Sequence, residues 1–326
     1  MLNHYSNAAH PFRSMAYCAS CLVSPVLLFR LVAIGIAFLC LVQSKLIAQD
    51  QKLQGDQKEA IAKVQSAIEM IAKGKADERL AIVSKLLEDR QMVAELVPFE
   101  EKSKKGTNLK TELSGAELQA APWLVLGAHL DRVALGQGII DNGCGCIALM
   151  ELAARLKKDP LPKHRVTALY FDLEEQGLLG SAAYSKSLSE KPKAFINLDV
   201  FAYGRQVWLH SLEEKDSFVS AAKKVDEQSS LSLDHGVAYP PSDHLSFRAA
   251  GIYSVSFSLL PPDEVAEVEA MFGGNRSIRP KILSTIHTPD DTPLKAVPND
   301  ILDGVDFLEK TIRLWVSDGA GVPPSK

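Results

Sequence analysis

Leu169 to Tyr184 reads LYFDLEEQGLLGSAAY, and this stretch decides the fold class of the 326-residue chain. Val166 to Phe171 is apolar on both alternating faces, the pattern of a strand covered by helices on either side of a parallel sheet. Glu174 and Glu175 arrive as that run ends, so two carboxylates are carried to the rim of a buried sheet. Ligands of open α/β sheets sit beyond the carboxyl ends of the strands, where loops converge without breaking the ladder. An isolated Glu-Glu pair is most often a solvated loop, so its meaning depends on what the neighbouring strands deliver.

They deliver matching groups. Trp123 to Gly127 is apolar and is followed by His129 and Asp131, and Ala194 to Leu198 is followed by Asp199. Three strands thus end in carboxylates or an imidazole on one rim. Asp141 heads the helical segment DNGCGCIALMELAARLKK, where a carboxylate caps exposed N–H groups or binds a cation. His287 lies in IHTPDDT, after the partly apolar stretch Ile282 to Ile286.

Two histidines and three carboxylates suit a pair of borderline divalent ions. Each ion takes one imidazole and one terminal carboxylate, while the third carboxylate and a water bridge them. Zinc fits this nitrogen and oxygen set best, and manganese or cobalt fit it too. Three ligand carboxylates against two dications leave one positive charge, which a bridging hydroxide would neutralise. The remaining glutamate can take the water's proton and pass it to a leaving amine. Asp131 is placed to accept the other N–H of His129 and fix that ring.

From Pro122 onward strands and helices alternate. Helices are expected over Ile147 to Lys158, Ser181 to Ser189, Lys215 to Gln228 and Asn299 to Val316, with strands at Val207 to Leu209 and Ile252 to Ser258. This order predicts a single α/β domain, a mixed and mainly parallel sheet between helices. Ahead of it, Gln49 to Arg90 has helical apolar spacing with a break at Lys73 to Lys75, and Met92 to Phe99 and Thr107 to Leu113 read as edge strands.

Composition removes other classes. The hydrophobic share of 46% supports a full core, and a formal charge of −4 without a basic, aromatic-interleaved block leaves nothing for nucleic acid. Residues 1–48 carry Arg13, Arg30 and Lys45 but no Asp or Glu, and Leu31 to Val42 is an apolar run with the proportions of a signal-peptide core. Export to the periplasm or outside the cell is expected, with cleavage after Ser44 or Ala48. An uncleaved segment would be a membrane anchor and the only route to a membrane. Residues 49–318 form the expected catalytic domain, and 319–326, rich in Pro and Gly, a flexible tail. Cys18, Cys21 and Cys40 fall in the leader, and Cys144 and Cys146 are too closely spaced for a bridge.

GAHLDRVALGQGIIDNGCG, LYFDLEEQGLLGSAAY, FINLDVFAYG, SDHLSF and IHTPDDT occur in this order. Together they resemble the motifs of the M28 family of zinc aminopeptidases, and the short gap from His129 to Asp141 is similar to its compact bacterial members. The resemblance runs from Asn108 to Thr292. It implies a three-layer α/β/α sandwich and removal of N-terminal residues from peptides or small amino-acyl substrates. It implies zinc ligands His129, Asp141, Glu175, Asp199 and His287, with Asp141 bridging and Glu174 the general base.

Departures from the pattern are local. Ile286 stands where some members carry a tyrosine that stabilises the oxyanion, Cys144 and Cys146 replace small or hydroxyl residues, and Val200 replaces a frequent methionine. Asp243, His244 and Phe247, in SDHLSF, are expected in the substrate pocket. Two rival readings share the fold: glutaminyl cyclisation, run on a single zinc in the related cyclases, and a binding domain that has lost its metals. The complete ligand set and the presence of Glu174 speak against both. Oligomeric state and side-chain preference are not encoded in any of these motifs.

Overall fold

The computed structural model describes residues 25–201, 203–212 and 216–318, and the side chains of 25–41, 44, 46, 50 and 116 also lie outside the description. The export segment read at 1–48 therefore falls largely outside the described residues, and the tail at 319–326 wholly so. Contacts divide the chain into residues 1–57 and 58–326. Among the residues whose side chains are described, no helix is long and apolar enough to cross a membrane.

Helix α1 spans Pro25–Lys73. It starts earlier than the helix expected from Gln49, because nothing between Pro25 and Lys73 breaks it; an interior glycine costs only about 1 kcal/mol. Its residues Val64, Ile68 and Ile71 are fully buried. Gly74 ends it, and α2 (Arg79–Asp89) follows. Next come β1 (Glu95–Glu101), β2 (Lys104–Glu112), β3 (Trp123–His129), α3 (Cys144–Lys158) and β4 (Arg165–Phe171). Then follow α4 (Leu179–Ser187), β5 (Ala194–Phe201), β6 (Gln206–His210), α5 (Ser217–Asp226) and β7 (Ser232–Gly236). The chain closes with α6 (His244–Ala249), β8 (Ser254–Leu260), α7 (Pro262–Phe272) and α8 (Pro298–Ser317).

The eight strands form one sheet in the order β1-β2-β4-β3-β5-β8-β6-β7. Its centre is parallel: β4 with β3, β3 with β5, and β5 with β8. β2 runs antiparallel to β4, so it is an inner strand and only β1 is the edge on that side. The expectation of two edge strands there is corrected. Leu109 supplies the reason, since it is fully buried opposite Tyr170.

Alternation along the strands builds both faces. Leu124, Leu126 and Ala128 of β3 join Ile196 and Leu198 of β5 under α3, α5 and α8. Trp123 and Val125 point the other way, with Phe171 and Phe195, against Tyr184 of α4 and Phe247 of α6. Phe195 and Phe247 stack at 3.8 Å between ring centroids, and Phe171 meets both edge-on. The fold is thus the expected mixed sheet between two helical layers.

Local signals agree with their elements. Asp216 accepts hydrogen bonds from the Phe218 and Val219 N–H groups at the start of α5, and α8 begins with Pro298 in its first turn. Arg155, Lys157 and Lys158 crowd the last turn of α3, where cations favour the helix dipole. The missed elements are β7, α6 and α7. β7 is a five-residue edge with no apolar run, and α6 is only six residues long.

Candidate metal centre

His129 ends β3, and Glu174 and Glu175 follow β4. Asp199 lies late in β5, so three neighbouring parallel strands present their ligands at one rim. Chain order puts β4 on one side of β3 and β5 on the other, with α3 and α4 on opposite faces. This is a switch point, where loops part and leave a crevice.

Asp141 sits in the crevice between the two histidines. Its Oδ1 is 3.0 Å from His129 Nε2, and its Oδ2 is 3.0 Å from His287 Nε2. Asp199 Oδ1 lies 3.7 Å from His129 Nε2, and Glu175 Oε2 lies 2.9 Å from His287 Nε2. The donor atoms therefore fall into two groups, His129–Asp141–Asp199 and Asp141–Glu175–His287, each within a 4.8 Å span and sharing Asp141. All five residues implied as ligands by the resemblance meet here, although they are spread from 129 to 287 in the chain.

The donor set fits two divalent ions. Asp199 Oδ2 accepts a 2.6 Å hydrogen bond from Ser242 Oγ, but its Oδ1 is buried without a hydrogen-bond partner among the described residues and faces His129. A buried carboxylate oxygen left open in this way calls for a cation. The electrostatics agree. Burial pushes the Glu174 carboxyl up to about 10; nearby His129 opposes this, while Asp243, Asp199 and Asp141 reinforce it. Burial, with help from Asp199 and Asp131, also raises Asp243, to about 7. Hydrogen bonds to Asp141 and Glu175 hold the His287 imidazole up to about 10. Burial works against protonation of His129, yet the Glu174 and Asp199 carboxylates raise it well above the usual imidazole range. Burial likewise disfavours ionised Asp141, but hydrogen bonds from His129 and His287 hold its carboxyl well below the usual range. So many acids packed this tightly need positive charge, supplied by protons or by metal.

This sets a pH dependence for the chelator-stripped protein. Because His287 and His129 are raised, their contribution to stability is full below about pH 6.5, the unperturbed imidazole value, and is lost as pH climbs toward 10. Zinc must displace the same protons, so its affinity should rise with pH from 7 upward and binding should release protons. Calorimetric zinc titrations at pH 7, in two buffers of different ionisation heat, measure the release; identical heats would contradict this account.

The hydrogen bond expected from His129 to Asp131 is not formed. Asp131 Oδ1 is 3.4 Å from His129 Nδ1, a charge contact too long for a good hydrogen bond, and the two Asp131 carboxylate oxygens accept from the Glu174 N–H at 3.0 Å and the Glu175 N–H at 3.2 Å. It therefore locks the backbone of the acidic pair as well as facing the imidazole. Residues overlooked in the sequence complete the frame. Asp291 Oδ1 accepts from the Ile139 and Ile140 N–H groups at 2.8 and 2.7 Å, and its Oδ2 from that of Asp141 at 3.3 Å. Its place in IHTPDDT, four residues after His287, was the available signal. The Tyr239 hydroxyl donates to the Asp199 carbonyl oxygen, which also accepts from Ser258 Oγ.

A cavity opens from Asp141, Glu174, Glu175, Asp199 and His287 onto an apolar wall that includes Trp208, Leu260, Val268, Ile282 and Ile286. Ile286 and Val200 thus shape a wall rather than supply a donor. Asp243, His244 and Phe247, expected in the pocket, are all buried and none of them lines this cavity. Phe247 is consumed by the aromatic stack beneath the sheet, His244 packs edge-on to His210 and Tyr239, and Asp243 acts on Glu174 through its charge. Cys146 Sγ donates to the His129 carbonyl oxygen at 3.1 Å, and burial pushes its thiol up to about 12 and that of Cys144 higher still, so neither competes for an ion as a thiolate.

A model of peptidase family M28 matches residues 108–306. The chain belongs to peptidase family M28. Aminopeptidase YwaD of Bacillus subtilis is 33% identical over 178 residues, 51% of this chain and 35% of that protein. This M28 chain therefore spans about a third of that curated relative's length. Among solved structures, a zinc aminopeptidase from Bacillus subtilis superposes with a TM-score of 0.53 at 24% identity, covering 65% of this chain and 50% of that one. A glutaminyl cyclase of Porphyromonas gingivalis gives 0.57 at 19% identity, covering 79% of this chain and 97% of that one. At these identities both share the fold.

Proposed function

We propose that this M28 member is a dinuclear zinc aminopeptidase. One observation carries the reading: Asp141 turns one carboxylate oxygen to each imidazole, with Asp199 completing one group of donors and Glu175 the other. His129, Asp141 and Asp199 would hold one ion, and Asp141, Glu175 and His287 the second. Bound there, the ions would polarise the scissile carbonyl and make a water acidic enough to attack at neutral pH.

The chain's own groups supply the rest. Glu174 takes the attacking water's proton and returns it to the leaving amine. Asp131 keeps Glu174 and Glu175 in register by binding both their N–H groups, so the base does not drift from the acids it serves. The excess of carboxylates favours a substrate with a free α-ammonium, which restricts cleavage to the first residue of a peptide. That residue's side chain enters the cavity walled by Trp208, Val268, Ile282 and Ile286. Export, with residues 1–48 cleaved or kept as an anchor, belongs to the same proposal and rests on their sequence.

Metal content of the purified chain, together with release of nitroaniline from amino-acyl nitroanilides before and after chelation, tests the reading. Two zinc ions per chain, chelator-sensitive release and no cleavage of N-acetylated analogues are expected. Because the cyclase superposes over almost its whole length, a glutaminyl peptide belongs in the panel: ring closure without hydrolysis of the other substrates would replace the peptidase reading. A chain without metal or turnover would be a binding domain.

A further inference from the structure

The turn that carries Asp141 is held from two sides. On one side Asp291 accepts from the N–H groups of Ile139, Ile140 and Asp141. On the other lies Arg79, the first residue of α2, outside the part of the chain that matches the family. Arg79 is 1% exposed. Its Nη2 donates to the Gln137 carbonyl oxygen at 2.7 Å and to that of Gly138 at 3.1 Å, and its Nη1 donates to the latter at 3.1 Å. These hydrogen bonds use Nη1 and Nη2 and go to carbonyls, while Nε is buried with no hydrogen-bond partner among the described residues, so a buried charge is committed here to the turn alone.

The glycines on either side of Asp141 make room for it. A Cβ on Gly138 would come within 2.9 Å of Arg79 Nη2, and one on Gly143 within 3.0 Å of Nη1. Gly138 also has φ +57°, which L side chains rarely adopt. The slot is completed by Ile71 of α1, 2.9 Å from the same Gly143 position, and Gln137 Nε2 donates to the Ala72 carbonyl oxygen at 3.1 Å.

We infer that Arg79 is a positioning residue for the bridging carboxylate: wedged between Gly138 and Gly143, its guanidinium fixes the turn that presents Asp141 to both imidazoles. The inference rests on the two-ion reading above. Arg79 belongs to neither donor group and does not line the cavity; it acts by holding carbonyls while Asp291 holds the amides of the same turn. An N-terminal helix thereby becomes part of the metal site.

The test is zinc affinity by chelator competition on the full chain, with melting of the chelated protein measured alongside. Arg79→Ala should bind zinc ~10–100-fold more weakly, the range for groups that orient a ligand. Added guanidinium ion should restore most of it by occupying the emptied slot. Leu87→Ala, a buried change on the same helix away from the turn, should lower the melting temperature and leave zinc affinity near wild type. Unchanged affinity in Arg79→Ala, an equal loss in Leu87→Ala, or no restoration by guanidinium overturns the inference. If Arg79→Ala does not fold, Arg79→Lys decides. A lysine cannot span both carbonyls, so weaker zinc binding at a near wild-type melt is expected, and wild-type affinity overturns it. A wild-type chain that binds no zinc would instead sink the two-ion reading, a result distinct from zinc binding that Arg79 does not influence.

Discussion

Glu174→Gln should fold, keep its zinc and lose turnover by ~10²–10⁴-fold, the usual worth of a positioned acid–base group. The carboxamide has the same size, and Asp131 grips the backbone N–H of residue 174 rather than its side chain, so the acidic pair stays in place. What disappears is a group that can take and return a proton. The carboxyl is suited to that exchange because burial and the acids around it raise its proton affinity, while His129 works the other way. Divalent ions at Asp141 and Asp199 would draw it back toward neutrality, where a base is most useful. Michaelis constants and metal content should change far less than kcat, and melting should hold or rise, since a buried ionisable group has been removed. Wild-type kcat in the variant would take the base role away from Glu174.

Asp141→Asn should be more drastic, because one carboxylate faces both imidazoles of the proposed centre. The amide retains one acceptor oxygen for one imidazole and turns an NH₂ toward the other, where it can accept nothing. Zinc content should fall to one ion per chain or fewer, and affinity at the damaged position should drop by at least ~10²-fold, more than outer partners alone produce. Turnover should fall to background with it. In the metal-free variant His287 loses one of the two carboxylates that raise it, so its titration, followed by NMR, should move down from about 10 toward the ordinary imidazole range. Two zinc ions retained at wild-type affinity would mean that Asp141 caps a turn and bridges nothing.

These expectations bear on residues that were visible for different reasons. The buried sheet was legible because Trp123–His129 and Arg165–Phe171 are apolar on both faces, which few structures other than a helix-covered parallel strand can satisfy. The ligands were legible because each follows such a strand or sits in an ordered motif. β7 and α6 were not, being too short for periodicity to register. SDHLSF misled in a different way: its order in the chain marked it as near the site, but whether a side chain faces a pocket or a core depends on packing, and Phe195 claims Phe247 from below.

What the sequence by itself determined about this M28 chain is the set of candidate ligands and the elements that bear them. Strand ends, Glu174–Glu175, His129 and His287 are local facts, written in residue type and hydrophobic period. Only the tertiary structure decided that Asp141 divides its oxygens between two imidazoles, that Asp291 and Arg79 clamp its turn, and that Trp208 and Ile286 share a wall. These relations join residues distant in the chain or turn on the orientation of one carboxylate. No periodicity encodes them, because they are fixed by the order in which strands enter the sheet and by what the buried polar groups must find as partners.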